Sequence, residues 1–559
     1  MKQEFRNQLG ANVFRGKYAI SQAQSWHEKA RHIVEDVCGY GIENKYNAPL
    51  MSASDRDQLV KYISEFKFLP GGRYIYYAGR KARFYNNCYL LRAEEDTREE
   101  WANVMHRSTS CLMTGGGIGC DYSLLRPKGR MLSRTGGISS GAIPLMRSVN
   151  EIGRNVMQGG SRRSAIYASL NWQHEDAADF LTEKNWADKR IGKSVDPEYM
   201  KPYTYSDYKN DDFNAPASLD MTNISLNWDD AWLNMTDRHK HPVFLQNVMQ
   251  AMFNGEPGFS FNFGNKQNET LRNACTEVTS EDDSDVCNLG SVNLAACENI
   301  GEFTDVVRLA AKFLVCGTIR AELPYEKVYK VREKNRRLGL GLMGIHEWLL
   351  RRNYRYEVTP ELHTWLAVYA SESEAAANEH CDRFYINRPK AYRAIAPTGT
   401  IGILAGTTTG IEPIYAVAYK RRYLTEGTKW KYEFAVDSTA QLLIESGISP
   451  DAIETAVDLS KDPERRIKFQ ADVQDYVDMA ISSTLNLPAW GSAGNNVDKV
   501  EQFAEVVSKY APRLRGLTFY PDGSRGGQPI NAIPYDEAMR HKGVVFEENS
   551  SCKDGVCGL

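Results

Sequence analysis

The sequence lacks the features that would place this protein in a membrane or on a polyanion. It contains no apolar run near the roughly twenty residues that a membrane-spanning helix needs. Residues 1–10 are polar and charged, without the apolar centre of a secretory signal. The 68 basic residues nearly balance the 71 acidic ones, which gives no support for binding nucleic acid or an anionic membrane. We therefore expect a cytoplasmic protein with neither partner.

Metal-binding signatures are also missing. There is no His-Glu-x-x-His and no Cys-x-x-Cys pair, so neither a zinc protease nor a zinc ribbon is indicated and no metal centre is expected. The eleven cysteines of a cytoplasmic chain stay reduced unless a pair of them is meant to cycle. A composition of 42% hydrophobic and 25% charged residues is that of a globular protein, long enough at 559 residues to bury a large core.

The pattern along the chain predicts one dominant α/β domain between two smaller parts. Residues 1–80 read as helical, with amphipathic stretches at 27–37 and 54–66. Residues 81–530 alternate short apolar runs with helical patterns, which is typical of an α/β barrel at this length. Residues 531–559 lose the alternation and are expected to form a flexible tail. Predicted strands include 89–91, 166–170, 258–263, 395–396 and 516–520, and predicted helices include 101–112, 306–319 and 473–484.

Two cysteines lie within the last eight residues, Cys552 and Cys557. The segment around them is too polar and too short to pack into a core, so both thiols would be exposed on a mobile end. Such a pair can exchange a disulfide with a buried site and with an external reductant. The alternatives are a metal-binding tag, for which two further ligands are missing, and two incidental thiols. Position and spacing favour the redox shuttle.

A second cysteine has polar neighbours at alternate positions, in Asn273-Ala274-Cys275-Thr276-Glu277. In an extended loop these alternate residues face one side and would place amide, thiol and acid together. A carboxylate raises the pKa of a nearby thiol, which suits hydrogen-atom chemistry better than thiolate attack. Taken alone, the pentapeptide is more often a solvated loop with a structural cysteine.

Other candidates are weaker when judged locally. Cys88, entering an apolar run, and Cys287 read as small buried hydrophobes. Three glycine-rich segments, at 114–119, 136–141 and 397–402, match neither the Walker pattern nor the dinucleotide fingerprint. Each is more often a tight turn, although together they make a phosphorylated substrate a real alternative, with backbone N–H groups as the ligands.

Taken in order, these segments resemble the large subunits of ribonucleotide reductases, from about residue 12 to the end. The resemblance lies in the combination of segments, and no single one would carry it. The matching segments are Asn12–Ala19, Asn87-Cys88, Asn273-x-Cys275-x-Glu277, Cys287–Leu289, Lys334–Gly339, Gly344–Trp348, Pro397–Thr400, Gln474–Asp478, Ser482–Pro488 and Asp522–Arg525.

The resemblance implies a ten-stranded α/β barrel made of two five-stranded halves, with the cysteine loop running up its centre. It implies that Cys275 carries a thiyl radical, that Glu277 is a general base and that Asn273 hydrogen-bonds the sugar hydroxyls. It further implies that Cys88 and Cys287 supply two electrons and form a disulfide. The tail cysteines, 552 and 557, would then reduce that disulfide and be reduced by thioredoxin or glutaredoxin.

Binding sites follow from the same resemblance. The substrate phosphates would lie at Pro397, Thr398, Gly399, Thr400, Ile401 and Gly402, helped by Ser108, Thr109 and Ser110. ATP or deoxynucleotide effectors would bind near Asp96 and the 147–163 stretch that contains Arg154. No ATP-cone domain precedes the catalytic region, and the insertion by which monomeric relatives imitate a dimer partner is missing, so a homodimer is expected.

The radical source divides the family. The short spacing from Cys275 to Cys287 and the segment Thr518–Arg525 resemble the adenosylcobalamin-dependent class II enzymes. Class I enzymes instead relay the radical from a di-metal partner subunit through two adjacent tyrosines. Here Tyr520 is followed by Pro521, which cannot carry a radical. The prediction is therefore class II, with class I as the alternative. A glycyl-type radical enzyme and an inactive nucleotide-sensing module rank below both.

Overall fold

The computed structural model describes residues 4–39, 48–156, 164–195, 201–212, 215–425, 429–524, 530–541 and 545–547. Its α-helices are α1 (Gln8–Val13), α2 (Trp26–Cys38), α3 (Ala53–Ser64), α4 (Gly72–Tyr77), α5 (Arg98–Met113), α6 (Ile143–Asn155), α7 (Ala177–Leu181), α8 (Tyr205–Asp211), α9 (Asp230–Leu233), α10 (Pro242–Asn254), α11 (Ile300–Arg320), α12 (Glu326–Asn335), α13 (Ile345–Arg351), α14 (Pro360–Arg383), α15 (Gly399–Ala405), α16 (Ser438–Glu445), α17 (Ala456–Leu459), α18 (Pro463–Gln474), α19 (Val500–Tyr510) and α20 (Tyr535–Arg540). Its strands are β1 (Phe68–Pro70), β2 (Cys88–Arg92), β3 (Gly117–Asp121), β4 (Ile166–Asn171), β5 (Arg190–Val195), β6 (Pro202–Thr204), β7 (Thr222–Trp228), β8 (Gly258–Phe261), β9 (Leu271–Arg272), β10 (Thr279–Ser280), β11 (Asp285–Asn293), β12 (Leu338–Met343), β13 (Ala418–Thr425), β14 (Lys429–Val436), β15 (Thr484–Leu487), β16 (Gly516–Pro521), β17 (Ile530–Ile533) and β18 (Val545–Glu547).

Five strands form a parallel half-barrel. β2, β3, β4, β7 and β8 are neighbours in that order, and each adjacent pair is parallel. Helices α5, α6 and α10 lie in the connections, because parallel neighbours need a crossover between them. β4 is buried along nearly its whole length, as expected for a strand covered on both faces.

The second half-barrel is also parallel. β11 pairs with β12, and β15 pairs with β16. Between these pairs, residues 393–395 bridge Leu340 of β12 on one side and Ile481, just before β15, on the other. Five parallel segments therefore follow one another: β11, β12, residues 393–395, the segment from Ile481 through β15, and β16.

The two halves meet antiparallel at two seams. β2 pairs with β11 at one seam, and β8 pairs with β16 at the other. The ring therefore closes, and pairing around it leaves no long exposed strand edge. This confirms the predicted α/β barrel of two five-stranded halves. The short strand β1 adds to the outside of the ring by pairing antiparallel with β11.

A hairpin runs into the middle of the ring. β9 and β10 pair antiparallel, with Arg272 opposite Thr279, and carry the loop 273–278 at their tip. Two glycines of β3 make room for it. A Cβ atom on Gly119 would lie 1.9 Å from the carbonyl oxygen of Arg272, and one on Gly117 would lie 2.9 Å from the Cβ of Ala274. The expected central finger loop is present.

The N-terminal helices pack against the second half-barrel. α2 begins at a capping box in which Ser25 and Glu28 each bind the other's backbone N–H. Its first residue, Trp26, stacks on Phe66 with the ring centroids 5.3 Å apart. These helices share one hydrophobic core with α11 and α14. The predicted helical stretches at 27–37 and 54–66 are confirmed as α2 and α3.

One predicted helix, at 473–484, is wrong. α18 ends at Gln474, and the chain then extends toward β15. The carboxylate of Asp478 accepts hydrogen bonds from the backbone N–H groups of Tyr392 and Arg393, at 2.7 and 2.8 Å. These bonds tie residues 475–483 to the neighbouring barrel segment, so a helical spacing of apolar residues is overridden by strand pairing.

The region after the barrel has more structure than the predicted tail. β17 and β18 flank the hairpin of β13 and β14 in a four-stranded sheet, in the order β17-β13-β14-β18. The helix α20 lies between β17 and β18 in the chain. Since β17 begins at Ile530, the expected boundary at residue 531 falls inside a strand. The tail cysteines at 552 and 557 lie outside the described residues.

Candidate active site

A cavity of about 300 Å³ lies at the tip of the finger hairpin. Cys275 and Glu277 line it from the hairpin, Cys88 from β2, and residues 397–401 from the segment that leads into α15. Cys275 is partly exposed there, whereas Glu277 is buried. The full lining is Lys17, Tyr18, Gly71, Gly72, Arg73, Tyr76, Asn87, Cys88, Gly117, Ala165, Ala274, Cys275, Glu277, Leu289, Gly290, Ser291, Ala396, Pro397, Thr398, Gly399, Thr400 and Ile401.

Cys287 stands directly behind Cys88. The two residues face each other across the antiparallel seam between β2 and β11. Opposite residues in such a pair have Cα atoms about 4.5–5.5 Å apart, which lies within the range that a disulfide spans. A Cβ on Gly339 would lie 2.8 Å from the Cys287 sulfur, so glycine makes room for this thiol. The seam therefore holds two cysteines in a position to be joined.

The Cys287 thiol is kept protonated by its surroundings. Burial raises its pKa well above the ordinary value, and the nearby carboxylates of Glu277 and Asp285 raise it further. A thiol with a raised pKa is a poor nucleophile and a weak acid, and it keeps the hydrogen that hydrogen-atom chemistry uses. The electrostatics of the site thus agree with the chemistry inferred from the Cys275 pentapeptide.

Glu277 and Asn273 offer polar atoms to a ligand. The Asn273 Oδ1 accepts from the backbone N–H of Val278 at 2.9 Å, which fixes the amide plane. The Asn273 Nδ2 and the Glu277 Oε2 are buried without a hydrogen-bond partner. Burial also raises the pKa of Glu277 to about 7. Buried polar atoms are rarely left unpaired, and Glu277 lines the cavity, so its Oε2 fits a polar ligand there, whereas Asn273 is not among the described lining residues.

The base of the hairpin is anchored by buried charges. Thr279 donates to Glu269 at 2.8 Å, and Ser280 donates to Asp285 at 2.6 Å. Arg337 bridges the two acids, 2.9 Å from Asp285 and 3.3 Å from Glu269. Burial would raise the pKa of Glu269, but the guanidinium of Arg337 and its neighbours lower it to about 2. These contacts hold β10 to Glu269, which precedes β9 in the chain, and to Asp285, at the start of β11.

The predicted phosphate-binding loop reaches the same cavity. Thr398 takes a left-handed conformation, with φ of 49°, and its hydroxyl accepts from the backbone N–H of Gly410 at 2.8 Å. Gly399 is exposed, and a Cβ there would meet nothing within 4 Å. Pro397 to Ile401 line the cavity, whereas Gly402 lies one residue further along α15 and does not.

The other predicted substrate contacts lie elsewhere. Ser108, Thr109 and Ser110 belong to α5, on the outside of the barrel, and the described cavity lining does not include them. Ser108 is fully buried, and Thr109 donates back to the carbonyl of Met105 at 2.9 Å. The geometry therefore gives no support to a role for these residues in binding substrate.

The two predicted effector residues are engaged in separate ion pairs. Asp96 accepts from Arg126 at 2.5 Å. Arg154, on α6, pairs with Asp220 and with Glu151. The structure does not bring Asp96 and Arg154 into one cluster, and residues 157–163 of the predicted stretch lie outside the described residues. Their role in effector binding stays a prediction.

Sequence reasoning missed part of the cavity wall. Lys17, Tyr18, Arg73 and Tyr76 line it from the N-terminal region. Lys17 and Tyr18 belong to the segment 12–19, which had been noted only for its resemblance to the family. Nothing in their local sequence distinguishes them, because a surface lysine beside a tyrosine is common. Only their position in the folded chain shows that they line the cavity.

A ring of two parallel half-barrels around a cysteine-bearing finger, with a cysteine pair across one seam, defines a class of α/β barrel suited to thiol-based redox chemistry. A family sequence model described as "Ribonucleotide reductase, barrel domain" matches residues 86–241, 243–367 and 388–511. The chain belongs to the ribonucleotide reductase family.

Individual relatives agree. The chain is 26% identical to the "Vitamin B12-dependent ribonucleoside-diphosphate reductase" of Mycobacterium tuberculosis (strain CDC 1551 / Oshkosh), over 95% of this chain and 82% of the relative. It is 23% identical to the "Putative adenosylcobalamin-dependent ribonucleoside-triphosphate reductase" of Mycobacterium phage D29, over 96% of both. The "Ribonucleoside-diphosphate reductase large subunit" of Danio rerio is 26% identical, over 57% of this chain and 44% of the relative.

None of the helices in the described residues has the length and apolar character needed to cross a membrane. Within the same residues, no group of three or more histidine, cysteine or acidic side chains is arranged to hold a metal ion.

Proposed function

We propose that this protein reduces ribonucleotides to 2′-deoxyribonucleotides by thiyl-radical chemistry, as a class II enzyme that uses adenosylcobalamin. The observation that carries the proposal is the convergence on one cavity of the Cys275 thiol, the buried Glu277 carboxyl group and the Cys88–Cys287 seam. The long matches to relatives named as vitamin B12-dependent reductases support the choice of class.

The cavity residues divide the reaction among themselves. Cys275, as a thiyl radical, takes the 3′-hydrogen of the ribose, while Glu277 accepts the proton of the 3′-hydroxyl. The 2′-hydroxyl leaves as water, with its proton supplied by one thiol of the Cys88–Cys287 pair. That pair gives up two electrons and two hydrogens in all and ends as a disulfide. Glu277 returns its proton to the 3′-oxygen and Cys275 returns its hydrogen atom to C3′, so the C2′–O bond is replaced by a C2′–H bond.

The remaining residues hold the substrate. Asn273 would donate its free amide N–H to a sugar hydroxyl, since its carbonyl oxygen is already engaged by Val278. Residues 397–401 would contact the phosphates. The tail cysteines would reduce the Cys88–Cys287 disulfide and pass the oxidation to thioredoxin or glutaredoxin. Deoxynucleotide or ATP effectors and a homodimer belong to the same proposal.

The cofactor does not fit inside this cavity. A space of about 300 Å³ suits a nucleotide, whereas a corrin ring with its nucleotide tail is far larger. Adenosylcobalamin would therefore have to bind outside this cavity, and no described residue is assigned to it. When bound, it would supply the radical that removes the hydrogen atom from the Cys275 thiol.

The alternative is a class I catalytic subunit that receives its radical from a di-metal partner. The partial matches to relatives named as ribonucleoside-diphosphate reductase subunits favour it. The position after Tyr520 argues against it, because Pro521 cannot carry a radical and ends β16 at the barrel rim.

The test is the reduction of CDP and CTP by the purified chain with dithiothreitol, with and without adenosylcobalamin. We expect deoxynucleotide only when the cofactor is present, and none from Cys275→Ser, which replaces the thiol by a hydroxyl of similar size. Nucleotide binding by this variant should match the wild type. Product formed without cobalamin, in the presence of a ferritin-like partner, would move the protein to class I.

A further inference from the structure

The N-terminal segment, residues 4–18, forms one wall of the active-site cavity. It continues from α1 into a single turn of π-helix, Phe14–Tyr18, which places Lys17 and Tyr18 in the lining. The Lys17 Nζ donates to the hydroxyl of Thr400 at 3.4 Å. A Cβ on Gly72 would lie 2.9 Å from the Tyr18 hydroxyl, so this tyrosine packs directly on the opposite edge of the cavity.

A buried acid on α13 anchors the start of this segment. Glu347, whose side chain is only 1% exposed, receives both guanidinium nitrogens of Arg6, at 2.8 and 3.2 Å. The same carboxylate accepts from the hydroxyl of Thr407 at 2.5 Å. Gly10 of α1 also lies close against α15, where a Cβ would be 2.9 Å from the carbonyl oxygen of Leu404. The chain that leads to Lys17 is therefore packed against the rest of the fold.

The cavity lining combines two kinds of group. Cys275 and Glu277 are the groups that react with the sugar in the proposed function. Residues 398–400 bring two threonine hydroxyls and the exposed Gly399, and the Lys17 ammonium lies beside Thr400. Threonine hydroxyls and glycine backbone can approach an anion but carry no charge to balance it. The lysine beside them supplies that charge as a flexible donor of three hydrogen bonds.

We propose that Lys17 binds the substrate phosphates, so that the N-terminal segment completes the nucleotide site. This assignment rests on the proposed function for the identity of the nucleotide. It makes the segment part of substrate recognition: the polyphosphate lies between Lys17 and residues 398–400, while the ribose lies over Cys275.

The test compares Lys17→Met with Lys17→Arg and with Arg15→Met. Arg15 is exposed on the same π-helical turn but does not line the cavity, so its variant removes an equal charge from the same element. Affinities for CDP and for cytidine would be measured by equilibrium dialysis on the reduced protein without cobalamin. The KM and kcat for CDP would be measured on the complete system.

For Lys17→Met we expect CDP affinity to fall about tenfold, the size of a lost charge-assisted hydrogen bond at a partly exposed site. KM should rise by a similar factor with kcat little changed, because the phosphates are remote from the reacting C2′. Cytidine binding should be unchanged. Lys17→Arg should retain most of the CDP affinity, and Arg15→Met should behave as wild type.

Equal CDP affinity in Lys17→Met and wild type would overturn the assignment, as would equal losses for cytidine and CDP, which would indicate a structural role. Wild-type protein that fails to bind CDP would overturn it too. Wild-type protein that binds CDP through Lys17 but reduces no ribonucleotide would overturn the proposed function alone.

Discussion

Replacing Glu277 by glutamine tests the acid–base role of the finger loop most directly. Glutamine keeps the size and one hydrogen-bonding oxygen of the side chain but cannot accept a proton. In the proposed reaction the ionised carboxylate takes the 3′-hydroxyl proton, and removing a general base of this kind lowers the rate about 10²–10⁴-fold. Because burial raises the pKa of Glu277 to about 7, the wild-type rate should also depend on pH in the physiological range.

The size of that dependence follows from the ionised fraction. With a pKa of about 7, roughly a tenth of the Glu277 side chains are ionised at pH 6 and roughly nine tenths at pH 8. The rate should therefore rise nearly tenfold between these values. A glutamate with the ordinary pKa of 4.5 would be almost fully ionised at both and would give a flat profile.

The assay is a single turnover of pre-reduced enzyme with no external dithiol, because the ionisation of an added thiol would impose its own pH dependence. A limiting nucleotide concentration reports on the free enzyme. We expect the wild type to lose about 90% of its rate on going from pH 8 to pH 6. The single-turnover rate of Glu277→Gln should be low and should not change with pH. A flat wild-type profile, or a variant that keeps the wild-type rate, would refute the reasoning.

Stability gives a readout that needs no turnover. The folded-state pKa of Glu277 is raised, so its protonated form stabilises the fold fully below pH 4.5, and this contribution is lost as pH rises through about 7. A shift of 2.5 pKa units corresponds to about 3 kcal/mol. Between pH 5 and pH 8 the melting temperature of Glu277→Gln should therefore rise by about 2–3 °C relative to wild type.

Two further predictions concern the seam and the space around the finger. After one turnover, peptide mass spectrometry should find Cys88 linked to Cys287, and Cys287→Ser should make no deoxynucleotide while still binding CDP. Gly119→Ala should lower the free energy of unfolding by about 2 kcal/mol or more, because its Cβ would collide with the Arg272 carbonyl. Gly137→Ala, where a Cβ finds no contact closer than 3.9 Å, is the matched control.

Each of these two predictions can be contradicted by a specific result. A turnover that leaves both seam cysteines reduced, or that links Cys287 to another residue, would remove this pair from the reaction. A Gly119→Ala variant with the melting temperature and activity of the control would mean that the finger does not depend on the space that this glycine leaves.

How much of the site the sequence predicts differs from residue to residue. The alternation around Cys275 was visible, and the structure places the thiol and the Glu277 carboxylate at one cavity, whereas Asn273 is not in its described lining. Cys88 and Cys287 could not be read locally, since each is an ordinary buried thiol in an apolar strand. They become a pair only because two half-barrels meet antiparallel between residues 88 and 287, which no local pattern encodes.

The barrel itself followed from alternation and resemblance, and most predicted strands lie within a residue or two of the observed ones. The errors have physical causes. Ser108 to Ser110 were expected at the substrate from the resemblance, but they lie on an outer helix, where Ser108 is buried and Thr109 bonds back to the backbone. The helix predicted at 473–484 was lost to strand pairing directed by Asp478. Lys17 was missed because its position beside the cavity depends on its contact with Thr400, which lies almost four hundred residues away in the sequence.

The cysteine seam has a consequence for the stability of the whole fold. A bond between Cys88 and Cys287 would close a loop of roughly 200 residues and tie one half-barrel to the other at the edge where they meet. Cross-links that close loops of this length restrict the unfolded chain by about 5 kcal/mol. The oxidised protein, which is the product of one turnover, would then have the higher free energy of unfolding. Reduction of the disulfide would return the enzyme to the less stable form. The reduced and the oxidised protein should therefore differ in melting temperature.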